Sequence, residues 1–155
     1  MSADSEFIFS IGVVAKMLNI SAETIRMYER EGLILTHKEP SGHRRYCQKD
    51  VDRLRCIRDM ITEKGLNIEG IRRIMSMVPC WRIYDHCTEE KRSQCPAYTQ
   101  STAPCWALET KPEICMNQDC YNCSVYQMHI ECDQIKSLYH KDLNKSSLSF
   151  EHIKN

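Results

Sequence analysis

At 155 residues the chain has room for one full domain or two small ones, and its 42% apolar content excludes a disordered chain. Lys+Arg and Asp+Glu both number 21, so a net charge of zero gives no sign of a nucleic-acid partner by itself. Residues 1–7 carry Asp4 and Glu6 where a basic leader would stand, and the apolar run Ile11–Ala15 is too short to span a bilayer. The expectation is a cytoplasmic protein with no membrane partner, where ten cysteines stay reduced and serve as metal ligands or redox centres.

Ser10 suits the N-cap of a helix from Ile11 to about Leu18, with Val14, Ala15 and Leu18 on one face. Asn19-Ile20 make a tight turn, and Ser21 caps a second helix from Ala22 to about Glu31 that Gly32 stops. Two short helices on so small a turn predict a helix-turn-helix. Pro40-Ser41-Gly42 lies at the centre of Leu33–Tyr46 and predicts a two-stranded wing. A helix from about Gln48 to Lys64 follows, then one capped by Asn67 and ended by Pro79. From Arg26 to Arg58 nine Lys/Arg stand against five Asp/Glu, a local excess fit for a phosphate-facing stripe.

Thr24-Ile25-Arg26-Met27-Tyr28-Glu29-Arg30-Glu31-Gly32-Leu33-Ile34, then Ser41-Gly42-His43-Arg44-Arg45-Tyr46, then Lys64-Gly65-Leu66-Asn67-Ile68-Glu69-Gly70-Ile71 resemble, in order and spacing, the recognition helix, wing and fourth helix of the MerR family of bacterial transcription regulators. The resemblance covers residues 7–78. His43 stands where the family usually has Tyr, Thr36 where it often has Pro, and Lys38 where it often has Arg. A helix N-terminus in the major groove brings Glu23, Thr24 and Arg26 to base edges, while Tyr28 reaches a phosphate. Lys38, His43, Arg44 and Arg45 form the wing's contact set, and Tyr46 offers its hydroxyl to a phosphate while its ring anchors the wing. The resemblance implies a homodimer on double-stranded promoter DNA, acting with RNA polymerase by twisting an overlong spacer.

Residues 79–124 lack helical periodicity and carry Pro79, Pro96, Pro104 and Pro112, so ligand bonds are expected to hold them. Pro79-Cys80-Trp81 and Pro104-Cys105-Trp106 each open a run ending Cys-x-x-Tyr, at Tyr98 and Tyr126. This duplicated pattern resembles the two-CW domain family over about residues 79–126. Cys115, Cys120 and Cys123 have the spacing of plant-type ferredoxin clusters, with Cys105 or Cys132 as the distant fourth ligand. Cys80, Cys87 and Cys95 form a sparser trio needing an outside partner such as Cys132 or His86. An iron–sulfur cluster shielded by two tryptophans is favoured; zinc on four thiolates and a thiophilic ion remain alternatives. Cys47 and Cys56 are expected as small buried or capping residues, and His86, His129 and His140 as surface residues. Packing and ligation stay open for Cys132.

Val125, Met128, Cys132, Ile135 and Tyr139 recur at 3-4-3-4 spacing, the seam of a short helix over 125–140 that either dimerises or packs on the cysteine-rich segment, before a polar tail at 141–155. The expected protein is mainly α: a winged helix-turn-helix DNA-binding domain, a small cysteine-rich metal-stapled domain, and a short C-terminal helix. No grouping of catalytic residues is visible, so a regulator sensing redox or metal state is expected rather than an enzyme. A small iron–sulfur electron-transfer protein is the alternative from another class.

Overall fold

The computed structural model describes residues 6–84, 87–100, 102–111, 115, 117, 119–128 and 139. Strand β1 (Phe9–Ser10) runs straight into helix α1 (Ile11–Leu18), because Ser10 is both the last strand residue and the N-cap, its hydroxyl accepting from the Val13 amide. Asn19 turns the chain in the left-handed conformation, at φ 54°. Helix α2 (Ala22–Arg30) starts at Ser21, whose hydroxyl accepts from the Thr24 amide at 3.0 Å. Val14, Ala15 and Leu18 of α1 bury themselves with Ile25 and Tyr28 of α2, which closes the helix-turn-helix.

Gly32, at φ +73°, ends α2 and lets the Leu33 amide reach back to the Tyr28 carbonyl at 2.9 Å. The wing follows as β2 (His37–Lys38) and β3 (Arg44–Tyr46), with Gly42 at φ +84° closing the turn onto the Glu39 carbonyl. All three strands form one antiparallel sheet in the order β1-β3-β2, with Phe9 opposite Tyr46 and His37 opposite Arg45. The sequence predicts two strands; the third escapes because two residues are too few to show alternation.

Helix α3 (Gln48–Thr62) opens where the buried Asp50 carboxylate accepts from the Cys47 amide at 2.9 Å, so Cys47 is the buried capping residue expected of it. Helix α4 (Ile68–Ser76) opens at Asn67, whose side-chain oxygen accepts from the Gly70 amide at 2.7 Å. Val51, Leu54 and Ile57 of α3 and Ile71 of α4 complete the core, each fully buried.

The cysteine-rich segment consists of short helices α5 (Cys80–Ile83), α6 (Glu89–Ser93), α7 (Pro96–Thr99) and α8 (Ser124–Gln127), with a 3-10 turn at Cys105–Ala107. Ile83, Trp106, Val125, Tyr126 and Met128 join the same hydrophobic cluster as α1–α4. Within residues 79–124, expected to be held by ligand bonds, Ile83 and Trp106 are thus also held by the shared core. The segment's apolar residues sit at irregular spacing, so they fill a surface offered by the first half without showing a period of their own.

The expected helix over 125–140 is also amended at its start. Helix α8 ends at Gln127 and Met128 is extended, while Val125 and Met128 are buried in the shared core. Cys132 and Ile135, with the rest of that seam and the tail, lie outside the described residues. Tyr139 is described, its ring edge-on to Trp81 and its hydroxyl donating to the Met77 carbonyl. Among the described residues no helix is long and apolar enough to cross a membrane.

Candidate functional site

Two surfaces carry chemistry: the face made by α2 and the wing, and a cysteine-lined cavity behind it. Glu23, Thr24 and Arg26 lie in the first turns of α2. Glu23 is exposed and pairs with Arg30 at 2.9 Å and Arg26 at 3.5 Å, and such exposed pairs hold their members weakly. The Thr24 hydroxyl is 2.8 Å from that of Ser21. Arg45 pairs with Glu39 at 3.0 Å across the wing, and His43 is exposed on its turn.

Glu29, which the sequence reading passed over, holds recognition helix and wing together. Its carboxylate accepts from Arg44 Nε at 2.6 Å and from the Thr36 hydroxyl at 2.9 Å, with Lys38 Nζ at 3.6 Å. Burial pushes the Glu29 carboxyl up, but the bonds from Arg44 and Thr36 and the charges of Arg44 and Lys38 outweigh it and hold it below its ordinary 4.5. A depressed carboxyl stabilises the fold fully above the unfolded value, and that contribution disappears as pH falls through the folded one. Glu29→Gln should cost about 1–2 kcal/mol near neutral pH. Measured by urea midpoints, its gap from wild type should shrink below pH 4.5. A gap that stays constant into acid would remove the clamp.

Two expected phosphate contacts fall on residues of the core. Tyr28 is only 4% exposed, a core residue of α2. Tyr46 is fully buried, and its hydroxyl has no hydrogen-bond partner among the described residues. Burial, then the nearby Glu29 charge, pushes that phenol up to about 12. The ring anchors the wing as expected, opposite Phe9 of β1, and burial closes the hydroxyl off from a phosphate. Tyr46→Phe should leave duplex affinity within about twofold and stability unchanged or up by as much as ~1 kcal/mol, since an orphaned polar atom is removed. A tenfold affinity loss would restore the phosphate contact.

The basic stripe is also thinner than its count. Arg58 Nη1 donates to the Leu18 carbonyl at 2.8 Å, closing the end of α1. Arg53 is buried, its guanidinium 4.0 Å from the centre of the Tyr126 ring, and donates to the Tyr126 and Met128 carbonyls. Neither is spaced differently from a groove-facing arginine in the sequence, so only packing tells them apart.

Behind this face, Cys80, Cys87, Cys95, Cys105, Cys115, Cys120 and Cys123 all line one cavity enclosing about 730 Å³, its open mouth included. The expectation of separate groups of cysteines gives way to a single lining of seven thiols. Cys132, the eighth, lies outside the described residues, as does His86. Tyr84, Trp106, Val125 and Tyr126 supply apolar wall, and Lys91 and Lys111 the positive charge. Trp81 is not part of the lining; it packs edge-on against Tyr98 instead. Among the described residues no three His, Cys, Asp or Glu side chains form a group that could hold one metal ion; the sulfurs ring the cavity.

The electrostatics of the lining follow from crowding. Burial first, and neighbouring thiolates second, push Cys80 and Cys105 up to about 12 and Cys115 to about 11. A cation bonded to the sulfurs would relieve both penalties, since it replaces protons with positive charge. Lys111 already acts in that sense, its Nζ 3.1 Å from Cys120 Sγ. Thiol donors, aromatic walls and flanking ammonium groups are of the type that iron–sulfur groups use, here spread around the cavity and not gathered on one point.

Three aromatic side chains that follow cavity cysteines in the chain tie this lining to the first half. Trp106, beside Cys105, donates from its indole to the Gly32 carbonyl at 2.8 Å. Tyr121, beside Cys120, donates to the Asp50 carboxylate at 2.9 Å and lies 3.3 Å from Cys47 Sγ. Tyr126, three residues after Cys123, accepts from the Leu35 amide at 2.8 Å and lies 3.2 Å from the Leu35 carbonyl. Gly32 and Leu35 bracket the link between recognition helix and wing. Tyr126 and Trp106 belong to the repeat motif, but nothing local in the sequence marks Tyr121 and its partner Asp50, or Arg53 against the Tyr126 ring.

Helix-turn-helix and wing together define the class of DNA-binding transcription regulators. The sequence signature described as "MerR HTH family regulatory protein" matches residues 9–78. The mercuric resistance operon regulatory protein of Serratia marcescens is 30% identical over 132 residues, spanning 83% of this chain and 86% of that protein. This chain belongs to the MerR family. The HTH-type transcriptional regulator GlnR of Bacillus anthracis is 34% identical over 70 residues, 45% of this chain, which spans about half of that relative's length, 54%. A crystal structure of HiNmlR, a MerR family regulator lacking the sensor domain, bound to promoter DNA, aligns with TM-score 0.38 and 29% identity over 42% of this chain and 49% of that one.

Proposed function

We propose that this chain is a promoter-binding regulator whose cysteine cavity takes up an iron–sulfur cluster and passes its state to the recognition helix. The observation that carries this is the set of three tethers, since Trp106, Tyr121 and Tyr126 each bond the DNA-facing half from a position beside or near a cavity cysteine. A cluster bound there would supply reversible one-electron chemistry. The residues do the rest. The cavity thiolates would hold the cluster, Lys91 and Lys111 would offset the anionic charge, and a shift of Cys105 or Cys123 would move the Gly32–Leu35 link through its tether. Arg26, Arg44, Arg45 and Lys38 then meet groove and phosphates at a changed angle, so the duplex is read through its deformation. One module covers few base pairs, which favours two copies on a two-fold related site, beside RNA polymerase.

The test uses full-length protein and a duplex selected from a random pool. Anaerobically loaded protein should carry iron and acid-labile sulfide, and the salt slope of duplex binding should reach at least about −3, for three or more phosphate contacts. Loaded and stripped protein should differ in duplex affinity by roughly 5–150-fold. Equal affinities with full loading would end the sensor reading, and a slope near zero would favour an electron carrier.

A second reading rests on a specific likeness, that to a regulator named for mercuric resistance across 83% of this chain. Seven thiols also suit a soft ion bound alone. If mercuric ion changes duplex affinity of the reduced, stripped protein while iron with sulfide does not, that reading replaces the first.

A further inference from the structure

The two Pro-Cys-Trp repeats fold alike. In each, the proline precedes a helical turn that opens with the cysteine, α5 at Cys80 and the 3-10 turn at Cys105. In each, the closing cysteine is the N-cap of another short helix, Cys95 before α7 and Cys123 before α8. The tryptophan of each meets the tyrosine of its own Cys-x-x-Tyr edge-on: Trp81 and Tyr98 at 4.9 Å and 80°, Trp106 and Tyr126 at 5.1 Å and 86°. The repeats thus match at their two ends in local structure as well as in sequence.

They are not two beads on a string. Helix α5 of the first repeat packs against α8 of the second, and three thiols of one and four of the other face the same space. An iron–sulfur cluster takes four thiolates, more than the three of the first repeat, and the described thiols of both repeats stand around one opening.

We propose that the two repeats are two halves of one cage, and that a single polynuclear iron–sulfur centre draws thiolates from both, with Cys80 and Cys105 each indispensable. This rests on the cluster-binding reading above and says how the cysteines are shared. Each ligand thiol releases its proton as its sulfur bonds iron, and no electron is transferred in that step. Sensing then joins both repeats, with the second supplying the tethers from Trp106, Tyr121 and Tyr126 to the DNA-facing half.

The test loads full-length protein anaerobically with ferrous iron and sulfide, then measures iron and sulfide per chain and the native mass. Cys80→Ser and Cys105→Ser should each lower bound iron more than tenfold, and the double variant should be no worse than either. Wild-type native mass, which needs no variant to fold, should show chains either empty or carrying one complete cluster. A Cys80→Ser protein that keeps half or all of its iron overturns the shared cage, and so does a wild-type species carrying two clusters. Wild type that binds no iron and sulfide at all instead brings down the cluster reading on which the cage depends.

Discussion

Gly32→Ala should unfold at markedly lower urea than wild type, by about 2–5 kcal/mol, a large share of the ~5–15 kcal/mol that holds a domain of this size. Two costs combine. An alanine at φ +73° is strained by roughly 1–2 kcal/mol. Its Cβ would also stand 2.4 Å from the Ala107 Cβ, forcing the cysteine-rich turn off the recognition helix, with overpacking of about 1–3 kcal/mol. The indole bond from Trp106 to the Gly32 carbonyl goes with it. Adding Ala107→Gly separates the two, because it clears the contact and leaves the backbone strain. The double variant should recover roughly half of the loss. If Gly32→Ala lies within about 0.5 kcal/mol of wild type, an ordinary surface change, the close approach of the two halves is refuted.

Tyr126→Phe should separate sensing from binding. The ring stays, with its edge-on contact to Trp106 and its place under Arg53, so the cavity wall is kept. Only the hydroxyl goes, and with it the bond from the Leu35 amide, which is left in a part-buried site without that partner. Stability should fall by about 1–3 kcal/mol. Iron and sulfide content should match wild type, while the affinity difference between loaded and stripped protein should contract from roughly 5–150-fold toward onefold. Loss of metal together with coupling would mean that Tyr126 shapes the cavity instead of transmitting from it; an unchanged affinity ratio would place the transmission elsewhere.

Much of the first half is written locally. Ser10, Ser21 and Asn67 cap their helices, and Gly32 stops one, because a hydroxyl, an amide oxygen or a missing Cβ acts on backbone only a few residues away. The apolar stripe Val51, Leu54 and Ile57 is visible for the same reason, since helical period and burial coincide. Arg53 and Arg58 resist that reading. Each is an arginine on α3 like its neighbour Arg55, which pairs outward with Asp52 at 2.8 Å, yet two of the three turn inward to carbonyls supplied from distant parts of the chain. Tyr46 misleads in a similar way: its place in the wing motif suggests a contact, and only the packing of the core buries it.

The amino-acid order alone determined the helix-turn-helix, the wing's turn and the duplicated Pro-Cys-Trp runs, because caps, glycine stops and motif spacing act over a few residues of covalent chain. Tertiary packing alone decided that seven cysteines from both runs share one opening, that Glu29 clamps the wing, and that Trp106, Tyr121 and Tyr126 bond the DNA-facing half. Those contacts join residues 7 to 91 positions apart, and their partners are chosen by where the apolar core brings surfaces together. No local period or cap encodes such a choice, since its free energy arises only when both surfaces leave water together.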